Sequence, residues 1–571
     1  MKMQIPVLVI SWLLTICSCL QLYCSDAATP VSGYPYPFMT VDADKVAART
    51  YDYIIVGGGT SACPLAATLS QNFSVLVLER GGSPYGNPEI EDTTLFGKAL
   101  GETNKYTSIA QGFVTEDGLQ LHRARVLGGG TALNAGFYSR ASLQYIRSMR
   151  WNERLVNRSY EWVENQNAFR PKKLSHWSSS FASALLEAGV LPFNGYTVNH
   201  VEGTKISAST YDNNNKRHTA ADLLKQANPR NIVVLLNATV SRILFSTELG
   251  KPKAQGVEFI NSVTGDKSHQ VLLNKDSCHS EVIVSAGSIG SPQVLMLSGI
   301  GPSQHLKKFN IPVLVDLPSV GQGAQDSPRA TVIVESPIPL EICSIQVAAI
   351  LHQSKLYIES ASSVSQVPSS AGGTRTQYLG LIFAKIAFPM SRGQIQLTST
   401  DPRDNPSVSY NYYSHPLDMG TCMEGVKQMA KISKTLSIQQ FTFRNKSSGK
   451  SELRFIGQAL PESTSDQESI LKFCKATLNT MWHFHGGCHV GFVIDRRYKV
   501  KGVRGLRIVD GSTFKDGPGT NPQATTLMLG RYMGMSILKE RLRQNRSQVL
   551  EESKNKEAFT DMSIIGAFHY K

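Results

Sequence analysis

"YDYIIVGGGTSACPLAATLSQNFSVLVLERGG", Tyr51 to Gly82, carries the reading of the fold. Tyr53–Val56 and Val75–Leu78 are short, continuous apolar runs with β-branched residues, as expected of parallel strands buried on both faces. Between them the Ala- and Leu-rich stretch Ser61–Ser70 has helical composition. Strand, glycine turn, helix and strand make a βαβ unit. Gly57, Gly59 and Ala62 form G-x-G-x-x-A directly after the first strand, and Glu79 closes the second, 20 residues beyond Gly59. The spacing has a physical cause. Gly57 permits the tight turn, Gly59 lets the backbone approach a pyrophosphate, and Ala62 keeps helix and strand close. The helix N-terminus offers free N–H groups to phosphates. Glu79 can accept hydrogen bonds from ribose hydroxyls and would repel a 2′-phosphate, which argues against NADP.

Outward from this unit, residues 219–227 ("TAADLLKQA") read as a helix leading into the strand "NIVVLLNATVSRILF". Apolar runs at hairpin spacing follow and end in "SEVIVSAG", an antiparallel meander inserted in an α/β frame. "ASSVSQVPSSAGGT" (361–374) is small and polar and reads as a mobile loop. "LRIVDGSTF" and "NPQATTLMLGRYMGMSILKERL" read as a last buried strand and a long last helix.

The 571 residues allow more than one domain. One Lys, an apolar run from Ile5 to about Leu22 and small residues at Ser25–Ala28 have the layout of a secretory signal peptide, which predicts an extracellular protein (apoplast, cell wall). No later segment reaches the roughly 18–20 apolar residues of a membrane span. Asn157, Asn445 and Asn545 head N-glycosylation sequons; Asn72 and Asn237 do too, but sit beside apolar strand-like runs. No CxxC pair exists, which removes zinc-ribbon and thioredoxin-type centres. The net charge is +14, and residues 26–571 keep +13 because Lys2 is the one charge before them. The Lys and Arg residues are scattered without aromatic interleaving, so nucleic acid is not an expected partner. Weak attraction to an anionic cell-wall matrix is the sharper reading of that charge.

"ARVLGGGTALNAGF" (Ala124–Phe137) and "GSIGSPQVLMLSGIG" (Gly287–Gly301) are similar to the two signature segments of the glucose–methanol–choline (GMC) oxidoreductases, which bind FAD. With the opening turn and "LRIVDGSTF…NPQA", the resemblance spans roughly Tyr51 to Leu542, and several phrases look most like the plant branch of HOTHEAD-like proteins and mandelonitrile lyases. It implies α/β architecture: a Rossmann-like FAD domain with an α+β substrate domain on an antiparallel sheet. The expected division is a signal peptide (1–25), a linker (26–50), a discontinuous FAD domain (51–150, 200–325, 480–545), a substrate domain (151–199, 326–479) and a polar tail (546–571). The resemblance further implies FAD contacts at Thr60, Ser61, Glu79, Arg80, Val126, Gly129, Thr131, Asn134, Ala135, Gly136 and Phe137, with the Val240 backbone at the adenine. Near the flavin ring it implies Trp482, His483, Asp510, Gly511, Pro522 and Gln523. Pro522 suits a first helical position, and a helix N-terminus aimed at the flavin would stabilise negative charge building there. Cys422 and Cys474 fall where this branch places a disulfide.

"TMWHFHGGCHVG" (Thr480–Gly491) crowds three histidines, and residue type alone does not choose among the thirteen in the chain. Alcohol oxidation needs a base that titrates near neutrality, which suits imidazole. The family pattern makes that base His483, with Asn521 as its partner. A metal reading fares poorly, since Cys488 has the opposite strand parity to His483, His485 and His489 and no carboxylate follows until Asp495. Lyases of this branch carry Tyr where Met481 stands and His where Asn521 stands, which weakens the lyase reading. The expectation is a secreted FAD-dependent alcohol oxidoreductase with a small-molecule alcohol substrate and oxygen or another electron acceptor; long-chain hydroxy fatty acids are the substrate class the resemblance suggests. A hydroxynitrile lyase and a non-catalytic extracellular protein are the alternatives.

Overall fold

The computed structural model describes residues 34–544 except 96, 102–103, 249, 276–278, 352–354, 370–371 and 446–448. The expected signal peptide, the sequon Asn545 and the tail lie outside the described residues. A six-stranded parallel sheet runs in the order Met39–Thr40, Ile232–Leu235, Val75–Leu78, Tyr53–Val56, Glu281–Val284, Leu506–Ile508. All pairings are parallel and in register, Tyr53 opposite Val75 on one side and Glu281 on the other. Every residue of its three central strands is buried, which is why Tyr53–Val56 and Val75–Leu78 read as unbroken apolar runs. Helix Ala62–Leu69 makes the crossover between the first two. An antiparallel meander is present as Ala238–Glu248, Lys251–Asn261 and Ser268–Leu273, but its expected last run, "SEVIVSAG", instead supplies Glu281–Val284 to the parallel sheet. Residues 219–227 form a 3₁₀ helix, Ala220–Gln226, opened by a capping box of Thr219 and Asp222. The last helix spans 523–544.

A second, mixed sheet is built on Pro328–Ser336, Thr374–Ile386, Leu356–Pro368 and Val347–Leu351, antiparallel in that order. Its faces alternate with period two. Ala330, Val332, Ile358, Ile382 and Ala384 pack on Trp177, Phe181, Val426 and Met429, from helices His176–Glu187 and Pro416–Ser433. The opposite face presents Arg329, Phe383, Leu381 and Ala361 to the central cavity.

Three further expectations need correction. Residues 361–368 and 374 are strand and not loop: Leu356–Pro368 and Thr374–Ile386 pair from Leu356↔Ile386 to Pro368↔Thr374, and small serines simply hide the alternation. The segment 26–50 is not a linker where it is described, for Met39–Thr40 edges the parallel sheet and Thr50–Tyr51 pairs with Leu272–Leu273. The boundaries near 150 and 200 are also displaced. Helix Glu153–Asn167 buries Val156, Tyr160 and Val163 in the core around the parallel sheet, whereas Gly203–Ile206 pairs with Val347–Ile350 of the second sheet.

Candidate active site

A cavity of about 590 Å³ opens beyond the carboxyl ends of the parallel strands, where ligands bind in open α/β sheets. Gly57, Glu79, Ser285 and Asp510, which follow parallel strands, and Ala238, which opens the meander, line it. Two glycines of the opening motif differ in what holds them. Gly57 has φ +96°, and a Cβ there would stand 2.6 Å from Ser285 O. A Cβ on Gly59 would meet no protein atom closer than 3.7 Å, so the bare backbone faces the cavity and leaves room for a bound group. Glu79 accepts from the backbone N–H of Gly58 and of Gly81, both at 2.7 Å, which fixes the carboxylate at the cavity edge. Burial raises its pKa, against the pull of those two N–H groups. Thr60, Ser61, Arg80, Val126, Gly129 and Val240 also line the cavity. Ala62 does not; it is buried where helix meets sheet. Thr131 is also absent from the lining. Its hydroxyl donates to Gly128 O and accepts from Ala220 N, so it closes a loop and does not face the cavity.

The opposite wall runs from Asn134 to Phe137. Asn134 Nδ2 donates to Gln523 Oε1 at 2.8 Å, and Gln523 Nε2 to Phe137 O, tying this wall to the start of the last helix. Arg217 was not anticipated from sequence, yet it supports the wall by donating to Asn134 O (2.6 Å) and Thr131 O (3.2 Å). Asp510 accepts from Ser512 N and Gly287 N, so it is both the turn former and the cavity-edge carboxylate. Gly511, Asn521, Pro522 and Gln523 complete this end.

Met481, Trp482 and His483 close the cavity between the two sheets. Trp482 has φ +55°, a strained setting for a bulky residue. Asp326 clamps that turn: it accepts from His483 N at 2.7 Å, Tyr412 OH at 2.6 Å, and Thr480 Oγ1. Burial pushes the Asp326 carboxyl up to about 6. His485 turns Nδ1 back onto His483 O at 2.9 Å, a support role. His483 itself is buried, and its Nδ1 has no partner in the protein. Burial, then the positive charge of Lys385, then His485 and Arg329 hold its pKa well below the usual imidazole value. Lys385 is itself fully buried, 2.7 Å from Glu359 Oε1 and bonded to Asn521 Oδ1. Asp326, Arg329, Glu359 and Lys385 escaped sequence reasoning. The one available signal was a lone Lys inside the apolar run "LIFAKIAFP".

Elsewhere, Cys422 and Cys474 bring their sulfurs to 2.13 Å with Cα atoms 6.2 Å apart, the spacing of a disulfide. Asn157 and Asn445 are exposed. Among the described residues no group of three or more His, Cys, Asp or Glu is arranged to hold a metal, and no helix is long and apolar enough to cross a membrane.

Comparison with known proteins agrees with this geometry. GMC oxidoreductase family models match residues 51–329 and 389–530. The chain is 42% identical to Protein HOTHEAD of Arabidopsis thaliana over 86% of its length and 89% of the relative. It is 44% identical to the (R)-mandelonitrile lyase-like protein of Arabidopsis thaliana, covering 89% and 93%. It is 43% identical to Sinalpyl alcohol oxidase Nec3 of Nesocodon mauritianus, covering 86% and 89%. Among solved structures, a formate oxidase superposes with TM-score 0.71 over 86% of this chain and 98% of that one, at 17% identity a likeness of fold. The chain belongs to the GMC oxidoreductase family of FAD-binding flavoenzymes.

Proposed function

We propose that this protein is a secreted oxidoreductase that converts an alcohol to a carbonyl compound, with His483 as base and Asn521 orienting the substrate. The cavity fits FAD. Gly57–Ser61 and Glu79 would hold the dinucleotide end, with Val240 nearby, and Asn134–Phe137, Asp510, Gly511, Pro522 and Gln523 the ring end. Open backbone at Gly59 and Gly287, where a Cβ would meet no protein atom closely, supports that fit. Bound FAD supplies the acceptor for the hydride equivalent lost from the carbinol carbon. His483 takes the hydroxyl proton. The observation that carries this reading is the imidazole itself: buried, unpartnered at Nδ1, its pKa held down by burial and neighbouring positive charge, and lining the same cavity as Asn521. Burial keeps water from that proton transfer, and Asp326 holds the His483 backbone still. Ile342, Ile345, Leu381 and Phe383 give the wall an apolar stretch, which supports an alcohol with an apolar body, hydroxy fatty acids included. Extracellular location, glycosylation at Asn157, Asn445 and Asn545, and a Cys422–Cys474 disulfide belong to the same proposal.

The 44% identity to a protein named as lyase-like keeps one rival reading, redox-neutral cleavage of a hydroxynitrile. Met481 at the cavity offers no acid or base for it. Anaerobic mixing separates the two. Cinnamyl alcohol or ω-hydroxypalmitic acid should bleach the flavin band, while cyanide released from mandelonitrile without bleaching would favour the lyase. A preparation without flavin absorbance would sink both.

A further inference from the structure

Lys385 stands on the cavity face of the second sheet, opposite Tyr357 in one pairing and Arg329 in the other. It is 1% exposed, and its ammonium lies against Glu359 Oε1 at 2.7 Å, Asn521 Oδ1, and the Tyr357 ring with its centroid 4.2 Å away, with the Phe137 ring centroid at 6.0 Å. An ammonium has three donors and no acceptor. The two ends of an asparagine amide look alike in shape and are told apart by their partners. Facing Lys385, Asn521 must present its oxygen, and the NH₂ is then the end left for the cavity that Asn521 lines.

We propose that Lys385 is a positioning residue that locks the Asn521 amide with its oxygen inward, making Asn521 a hydrogen-bond donor to the substrate oxygen. The proposal rests on the reading above that Asn521 touches the substrate. Glu359 keeps the lysine in place: both side chains are fully buried, and without the carboxylate the ammonium would lose its charge partner. A donor is what the reaction needs. The substrate oxygen begins as a hydroxyl, gains negative charge as its proton passes to His483, and ends as a carbonyl; at each stage it accepts. A hydrogen bond to it strengthens as charge builds, so it favours the transition state over the bound alcohol. The nearby positive charge polarises the amide further in the same sense. An acceptor in that position would do the reverse.

The test is a double-mutant cycle on the FAD-loaded enzyme, following anaerobic flavin reduction by whichever of cinnamyl alcohol and ω-hydroxypalmitic acid reacts faster. Lys385→Met should slow reduction about 10- to 100-fold with substrate affinity little changed. In an Asn521→Ala background the same substitution should slow it by less than about threefold, because the residue it acts through is gone. Equal factors in both backgrounds would overturn the proposal. Asn521→Asp leaves Lys385 intact and gives it a better partner, so it guards against a misfolded lysine variant. It removes the donor and should be as slow as Asn521→Ala; a near-normal rate would mean that this position accepts, and the proposal fails. Wild-type reduction by Asn521→Ala would instead overturn the underlying reading of the catalytic pair, and this proposal with it.

Discussion

Gly57 and Gly59 are two residues apart and answer to different constraints. Gly57 is held by the protein, through positive φ and the Ser285 carbonyl. Gly59 is held only by what enters the cavity. Alanine should separate them. Gly57→Ala should lower the melting temperature of the protein stripped of FAD, whereas Gly59→Ala should leave that melting temperature within about 1–2 °C and weaken FAD binding. Thermal scans with and without added FAD measure both; equal loss at both positions would refute the distinction. His483 is the second residue whose chemistry exceeds its packing. His483→Ala should retain FAD and slow flavin reduction by about 10²–10⁴-fold. A rate near wild type would move the base elsewhere.

The hairpin Leu356–Pro368 and Thr374–Ile386 does two jobs by alternation alone. Ile382 faces the packed helices, while Phe383, one residue on, faces the cavity under the Arg329 guanidinium, 4.4 Å from its ring centroid. Ile382→Ala should cost about 2–5 kcal/mol of stability and leave the substrate constant close to normal. Phe383→Ala should raise KM or shift preference among alcohols at a smaller cost in stability. Melting curves beside steady-state kinetics on the same two variants decide it; the reverse pattern would mean that the faces are misassigned. This element also marks where sequence reading stops. The βαβ unit was legible because buried parallel strands and a glycine turn leave a local signature over 32 residues. The hairpin was not, since its serines disguise the period of two. Lys385 and Glu359 were hidden for a different reason: each is ordinary in its own strand, and their meeting with Asn521 joins positions 136 and 26 residues apart. Lysines are rarely fully buried, so one in an apolar strand run was the available clue. His483 and Asn521 entered through resemblance to a family; spacing alone would have left thirteen histidines to choose from.

Across the whole molecule, several buried or half-buried imidazoles lie outside the strands. His200 packs near Tyr357 with both ring nitrogens unpartnered, and His485 and His489 follow the turn at Trp482. Burial holds each of the three down to about 4, with neighbouring charges adding to or trimming the effect. His483 is depressed in the same direction. An unfolded imidazole titrates near about 6.5. Between that value and about 4 the unfolded chain therefore binds protons that the folded chain refuses, and acid favours unfolding. Asp326 works the other way, since its raised carboxyl near 6 takes up a proton in the folded state before an unfolded aspartate would. Glu79 and Asp510, also raised by burial, side with Asp326, while His122, His279 and His305 are depressed like the other four, so seven histidines stand against three carboxyls. The melting temperature should fall by roughly 5–10 °C as pH drops from about 6.5 to about 4.5, with the stability contribution of these groups fully present above about 6.5. Replacing one of them, His200→Leu, should make that slope shallower, because one proton fewer separates the two states. Melting curves at constant ionic strength, read by intrinsic fluorescence alongside flavin release, test this directly. A melting temperature that holds steady or rises toward acid would show that the buried imidazoles are already charged or that other groups dominate the balance.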